Sequence, residues 1–220
     1  MVVAEEALVR SGFRLILSEA PDIDVVATAI GGEAVDTARR EAPDVVLLDI
    51  RMPDVDGPAV LRRLRALPEP PVVAMLTTFD ADEYILAALR SNATGILLKD
   101  TEPDQLAQVV RTLATGGVVV SPKASRPVRQ SRPGAATVDD EDAVRSGLLG
   151  EREREVLQMV AEGLSDAEIG TLVPLGAGTV QNHVSAILGR PGGAGRVQGA
   201  LLAQWAGLLG GGRRPAEAGR

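Results

Sequence analysis

Four consecutive apolar residues, Val45-Val46-Leu47-Leu48, run directly into a carboxylate, Asp49, and then into a loop that cannot extend them. Two of the four are β-branched and none alternates with a polar neighbour, so the run reads as a strand buried on both faces. Pro53 and Gly57 punctuate Ile50-Arg51-Met52-Pro53-Asp54-Val55-Asp56-Gly57 as a loop. A doubly buried strand needs a layer above it and another below, which points to a sheet covered by helices. In open parallel sheets, ligands bind beyond the carboxyl ends of the strands, where Asp49 stands.

The neighbouring sequence supplies those layers. Apolar runs at Val25–Ala29, Val72–Leu76 and Gly95–Leu98 are separated by segments long enough for crossover helices. Met1–Ala4 is a further, shorter run, a stub beside the others. The alternation implies an α/β fold, a doubly wound parallel sheet. Leu8, Phe13, Leu15 and Ile16 recur at roughly helical spacing, as do Val60, Leu64 and Leu67, and Leu106, Val109, Val110 and Leu113. Asp80 with Glu83, and Thr101 with Pro103 and Asp104, read as helix-start capping boxes.

At 220 residues there is room for a second domain. Hydrophobic residues make up 45% and aromatic residues 2%, so the cores must be built from Leu, Val, Ile and Ala. The absence of cysteine excludes a disulfide framework and thiolate metal sites. No apolar run is long enough to span a membrane and no leader pattern opens the chain, so a cytoplasmic protein is the expectation. Residues 1–120 carry 11 basic and 19 acidic side chains. Between 121 and 147 periodicity vanishes and Pro122, Pro127, Pro133 and Gly134 mark a linker, with Lys123, Arg126, Arg129 and Arg132 in its first part. Residues 148–209 return to a helical pattern, and 210–220 read as a disordered tail.

The segment around Asp49 resembles the phosphoacceptor segment of two-component response-regulator receiver domains: apolar strand, Asp, two residues, Met-Pro, then Asp-Gly. The resemblance implies a five-stranded flavodoxin-like receiver domain over residues 1–120, in strand order 2-1-3-4-5. In that order the short Met1–Ala4 strand is central and leaves its neighbours short of backbone partners, so the expectation is a natural start upstream or a less stable domain. It also implies a Ser or Thr at the end of the fourth strand and a Lys at the end of the fifth, where Thr77 and Lys99 stand. Asp49 would then be the nucleophile, with Thr77 and Lys99 serving the phosphoryl oxygens.

The resemblance further implies Mg²⁺, held by Asp49, the backbone carbonyl of Arg51 and two adjacent acidic residues after the first strand. Two alignments supply that pair: Ala4 and Glu5, or, through a loop shortened by one residue, Glu5 and Glu6. Glu is one methylene longer than Asp, which alters a site that wants tight octahedral oxygen geometry. The family usually places an aromatic at position 96, where this chain has Ile96, so any switch there is a smaller packing change.

Glu151–Gly163 followed by Leu164-Ser165-Asp166-Ala167-Glu168-Ile169 resembles the start of a LuxR/NarL-type helix-turn-helix domain, with Ser165 and Glu168 as a capping box. Thr179–Leu188 resembles its recognition helix, which makes Thr179, Val180, Gln181, Asn182, His183 and Ser185 candidate DNA contacts. Val197–Leu209 reads as a last helix, with Trp205 at a core or dimer seam. The departures lie on the DNA side. Gln181 stands where the family is usually basic, Gly150 and Gly176 replace hydroxyl caps, and Pro191 breaks what is usually continuing helix. Residues 148–209 carry four basic and six acidic groups, whereas DNA-binding domains normally show a basic footprint.

Together these readings imply a transcription regulator phosphorylated at Asp49 by a sensor histidine kinase, which dimerises and binds promoter DNA. A degenerate regulator working through protein contacts is the competing reading, motivated by the missing basic residues. An aspartyl-phosphate phosphatase fits poorly, because Ile50-Arg51 follows Asp49 with no second carboxylate two residues on.

Overall fold

A computed structural model of the chain describes residues 1–78, 93–120, 150–173, 179–180, 199–200 and 203. Its first 120 residues form a parallel sheet built from β1 (Val2–Val3), β2 (Thr28–Ala29), β3 (Val45–Asp49), β4 (Val72–Thr77), β5 (Gly95–Leu98) and β6 (Val119–Val120). The order across the sheet is β2-β1-β3-β4-β5-β6. The expected order 2-1-3-4-5 is therefore present. The correction is a sixth strand, in which Val119 and Val120 pair with Gly95 and Ile96.

Among the described residues the covering helices are α1 (Ala7–Ser18), α2 (Ala34–Glu41), α3 (Gly57–Arg65) and α4 (Pro103–Ala114). Because side chains alternate along a strand, β3 feeds two separate cores. Val46 and Leu48 join Val60, Leu61 and Leu64 of α3 and Ala34, Val35 and Ala38 of α2. Val45 and Leu47 join Phe13 and Leu17 of α1 and Leu106 and Leu113 of α4. All five residues of β3 are buried, as the unbroken apolar run predicts.

Several local expectations shift. Val25–Ala29 narrows to Thr28–Ala29, because β1 offers only Val2 and Val3 as ladder partners. Within α1 the inward stripe is Val9, Phe13, Ile16 and Leu17. Leu8 and Leu15, two turns apart on the other side, are 84% and 67% exposed. The expected Thr101 capping box does not form: Glu102 is the N-cap of α4, Pro103 opens the helix, and the Thr101 hydroxyl donates to the Leu98 carbonyl at 2.6 Å. Asp80 and Glu83 lie outside the described residues.

The second half has α5 (Glu151–Ala161) and α6 (Asp166–Leu172). The Ser165–Glu168 capping box forms as expected: the Ser165 oxygen accepts the Glu168 N–H at 3.2 Å, and Glu168 Oε2 accepts the Ser165 N–H at 2.7 Å. At Gly150 only half a box is possible, with Glu153 Oε2 accepting the Gly150 N–H at 2.9 Å. Gly163, at φ +91°, ends α5, and Leu164 N–H reaches back to the Met159 carbonyl at 3.1 Å in a Schellman-type closure. The core here is Val156, Met159, Val160, Ile169, Val173, Val180 and Ala200. The linker 121–147, most of the last helix and the tail 210–220 lie outside the described residues.

Candidate functional site

Three strand ends converge on Asp49. It closes β3, Thr77 closes β4, and Lys99 immediately follows β5. Register fixes their level: Asp49 pairs with Leu76, and Thr77 with Leu98. Beyond those rungs, Ile50 N–H donates to the Leu76 carbonyl and Lys99 N–H to the Thr77 carbonyl, both at 2.8 Å. The three side chains are thus carried on a rigid lattice rather than on free loops.

Asp49 is only 1% exposed. A carboxylate so buried needs partners. Lys99 Nζ donates to Oδ2 at 2.6 Å, and the Arg51 backbone N–H donates to Oδ1 at 3.1 Å. The Thr77 hydroxyl faces away, donating to the Thr78 carbonyl at 3.1 Å. Ile96, in the position of the family's aromatic, is fully buried.

Gly57 explains the end of the motif. A β-carbon at that position would lie 2.7 Å from the carbonyl oxygens of both Asp49 and Ile50. Only glycine lets the start of α3 pack this closely on the backbone of the phosphoacceptor candidate. Asp56 then caps α3, its Oδ2 accepting the Ala59 N–H at 3.2 Å.

The acidic loop follows directly on β1. Ala4 is fully buried and its N–H still donates to the Ala29 carbonyl at 3.1 Å, so the loop proper begins at Glu5. Glu5 and Glu6 are the two acidic side chains of this loop. Glu6 Oε1 lies 3.6 Å from Lys99 Nζ and its side chain is 71% exposed. Glu5 Oε1 instead accepts the N–H of Gly31 at 2.9 Å. Among the described residues, no three His, Cys, Asp or Glu side chains converge on a point that could hold a metal ion. As arranged, Asp49 and Glu6 both approach Lys99 Nζ while Glu5 is turned aside, and Mg²⁺ sites commonly use one or two carboxylates with waters completing the octahedron.

A cleft of ≈ 330 Å³ lies elsewhere, at the amino ends of the strands, lined by Met1, Leu17, Val25, Val45 and the Asp22–Arg111 ion pair. It lies at the opposite end of the sheet from Asp49 and shares none of its chemistry. Residues 1–111 match the family described as "Response regulator receiver domain". Residues 148–203 match "Bacterial regulatory proteins, luxR family".

The chain belongs to the response regulators.

Its relatives include the transcriptional regulatory protein DegU of Brevibacillus brevis, 32% identical over 200 residues, with 86% of this chain and 85% of that protein covered. The nitrate/nitrite response regulator protein NarP of Escherichia coli (strain K12) is 33% identical over 203 residues, covering 92% of each. Among solved structures, the response regulator ChrA of a heme-sensing two-component system is similar, with a TM-score of 0.53 and 31% identity over 95% of this chain and 97% of that one. The family is regulatory and is not a known enzyme class.

In this response regulator, Asp49, Arg51, Thr77, Lys99 and Glu6 gather at one end of the sheet, and Glu5 turns from them. Of the DNA-contact candidates, Thr179 is exposed and Val180 fully buried in helical backbone. Gln181, Asn182, His183 and Ser185 lie outside the described residues. Sequence reasoning passed over Arg10, whose Nη1 donates to the Ala4 and Glu5 carbonyls at 2.6 and 2.7 Å. It also passed over Gly31. The Arg10 guanidinium binds main-chain carbonyls and Gly31 gives a main-chain N–H, and main-chain partners leave no residue-type signature. Among the described residues no helix is long and apolar enough to cross a membrane.

Proposed function

We propose that this response regulator is a DNA-binding transcription regulator switched by phosphorylation of Asp49. The supporting observation is the meeting of Asp49, Thr77 and Lys99 at adjacent strand ends, with Lys99 already bound to the carboxylate. In the proposed transfer, an Asp49 oxygen forms a bond to the phosphorus of a phosphohistidine on a sensor histidine kinase, and the phosphorus–nitrogen bond breaks. Lys99 pairs with the new phosphoryl charge, and the Thr77 hydroxyl turns from the Thr78 carbonyl to donate to a phosphoryl oxygen.

Receiver domains generally bind Mg²⁺ at their acidic pocket. For this chain the residues available to such an ion are Asp49, Glu6 and the Arg51 carbonyl, and no step here depends on it.

The proposed organisation is a receiver at 1–120, a linker at 121–147, a LuxR-type DNA-binding domain at 148–209 and a tail at 210–220. Promoter DNA is met through Thr179, Gln181, Asn182, His183 and Ser185, while Val180 packs into the core, two copies pairing when phosphorylated. The protein works in the cytoplasm. The relatives' regulatory names and the match over residues 148–203 favour DNA binding over a regulator acting by protein contacts alone.

Two measurements test this reading. Intact mass after incubation with acetyl phosphate should show one added phosphate on the natural chain and none on Asp49→Ala. Binding to promoter fragments across a salt series should strengthen on phosphorylation and weaken with salt. The salt slope should be shallow, because Gln181 and Asn182 read base edges without neutralising phosphates. Failure to bind any fragment at low salt in either state would remove the DNA-binding reading.

A further inference from the structure

Glu5 and Glu6 leave the sheet together and then part. Since β1 lies between β2 and β3, the loop at its end has Gly31 on the β2 side and Asp49 on the β3 side. The Glu6 carboxylate goes to the β3 side, near Lys99. That of Glu5 goes to the β2 side and is held by the Gly31 N–H.

Glu5 has little freedom to come back. Three residues separate Val3 from Ala7, and the first of them, Ala4, is still in the ladder. Arg10 grips the carbonyls of Ala4 and Glu5 from within α1. Gly31 is confined as well: a β-carbon there would sit 2.9 Å from Met52 Sδ and 3.2 Å from Glu5 Oε1. Turning Glu5 toward Asp49 would therefore break its bond to a donor crowded between two loops and leave that N–H without its acceptor.

We propose that Glu5 is a strut and not a metal ligand. It ties the β1–α1 loop to the 3-10 turn (Gly31–Glu33) that opens α2, and among the described residues the phosphoacceptor pocket keeps Asp49 and Glu6 as carboxylate donors for a divalent cation. This rests on reading Asp49 as the phosphoacceptor, but its test does not use phosphorylation.

Mn²⁺ binding is measured by electron paramagnetic resonance, and Mg²⁺ binding by calorimetry, on the full chain and on Glu5→Gln, Glu5→Ala and Glu6→Gln. Hydrogen exchange at the Gly31 amide is followed in parallel. Glutamine can still accept the Gly31 N–H, so Glu5→Gln should keep that amide protected and leave cation affinity within about twofold. Glu5→Ala should lose the protection and still leave affinity in that range. Glu6→Gln should weaken binding by about tenfold. A wild-type chain that binds neither ion but protects Gly31 also supports the strut, because the pocket is then short of a carboxylate. An about tenfold loss of affinity in Glu5→Gln, or an unprotected Gly31 amide in the wild type, overturns it. Failure of acetyl phosphate to label Asp49, with the strut results intact, counts against the receiver reading alone.

Discussion

Lys99 and Asp49 form a buried ion pair that spans two strands: Nζ sits 2.6 Å from Oδ2, the carboxylate almost fully enclosed and the lysine side chain 18% exposed. Removing one partner of such a pair strands the other. Lys99→Met should cost about 3 kcal/mol of stability. Asp49→Asn in that background should recover most of it, because the stranded charge is then gone. Denaturant melts of the two single variants and the double variant check this as a cycle, and additive losses would show that the pair carries no coupling.

Gly57 has no room for a side chain against the Asp49 and Ile50 carbonyls. Gly57→Ala must push α3 away from the end of β3, with an expected cost of about 2 kcal/mol, in the range for overpacking. The same shift moves Asp49, so acetyl-phosphate labelling should slow in a variant that remains folded by circular dichroism. Normal labelling and an unchanged melt would show that the loop absorbs the methyl group.

Ala42 offers the opposite case. It ends α2 in the left-handed region, at φ 44° and ψ 54°, a conformation that penalises a β-carbon. Ala42→Gly should raise stability by about 0.5 kcal/mol, the relief of strain outweighing the extra freedom of the unfolded chain. Thermal melts at matched concentration provide the measure, and a lower midpoint would refute the prediction.

In a chain that begins at Met1, the amino group there titrates in a useful window. Burial lowers its pKa from 8.0 to about 6, against smaller opposing effects of Asp44 and Asp24. A base whose folded pKa is depressed binds fewer protons when folded, so stability rises with pH between 6 and 8 and is flat outside that range. The change is on the order of 2 kcal/mol across the window. Urea melts at pH 6 and pH 8 should show it, and a chain extended ahead of Met1, with no amine at that position, should not. The Asp22 carboxyl, held at about 2 by its hydrogen bonds with Arg111, acts in a separate range. Its contribution is present above about pH 4 and fades as the pH falls toward 2.

The two-faced burial of β3 was readable from its unbroken apolar run. The order 2-1-3-4-5 and the placing of Thr77 and Lys99 beside Asp49 came instead from the resemblance to receiver domains. What escaped was governed by backbone. Val25 and Val26 have strand propensity, yet they stay out of the ladder because β1 provides nothing opposite them. Leu8 and Leu15 look like core residues until the stripe through Val9, Phe13 and Leu17 is placed against β3 and β4. The bond from Gly31 to Glu5 spans 26 positions and has a main-chain donor, so no residue pattern announces it. The sixth strand did leave a trace, since Val118-Val119-Val120 is a β-branched run following two glycines.

The enclosure of β3 determines where this sequence can gain or lose a residue. It is hydrogen-bonded on both edges and feeds one core with Val45 and Leu47 and the other with Val46 and Leu48. An insertion or deletion between Asp44 and Asp49 would exchange every side chain between the two cores. The loop between Val3 and Ala7 is held in another way, by the Ala4 ladder bond and by the grip of Arg10 on the Ala4 and Glu5 carbonyls. Length variation is therefore prohibited ahead of Asp49, and the nucleophile candidate stays in frame.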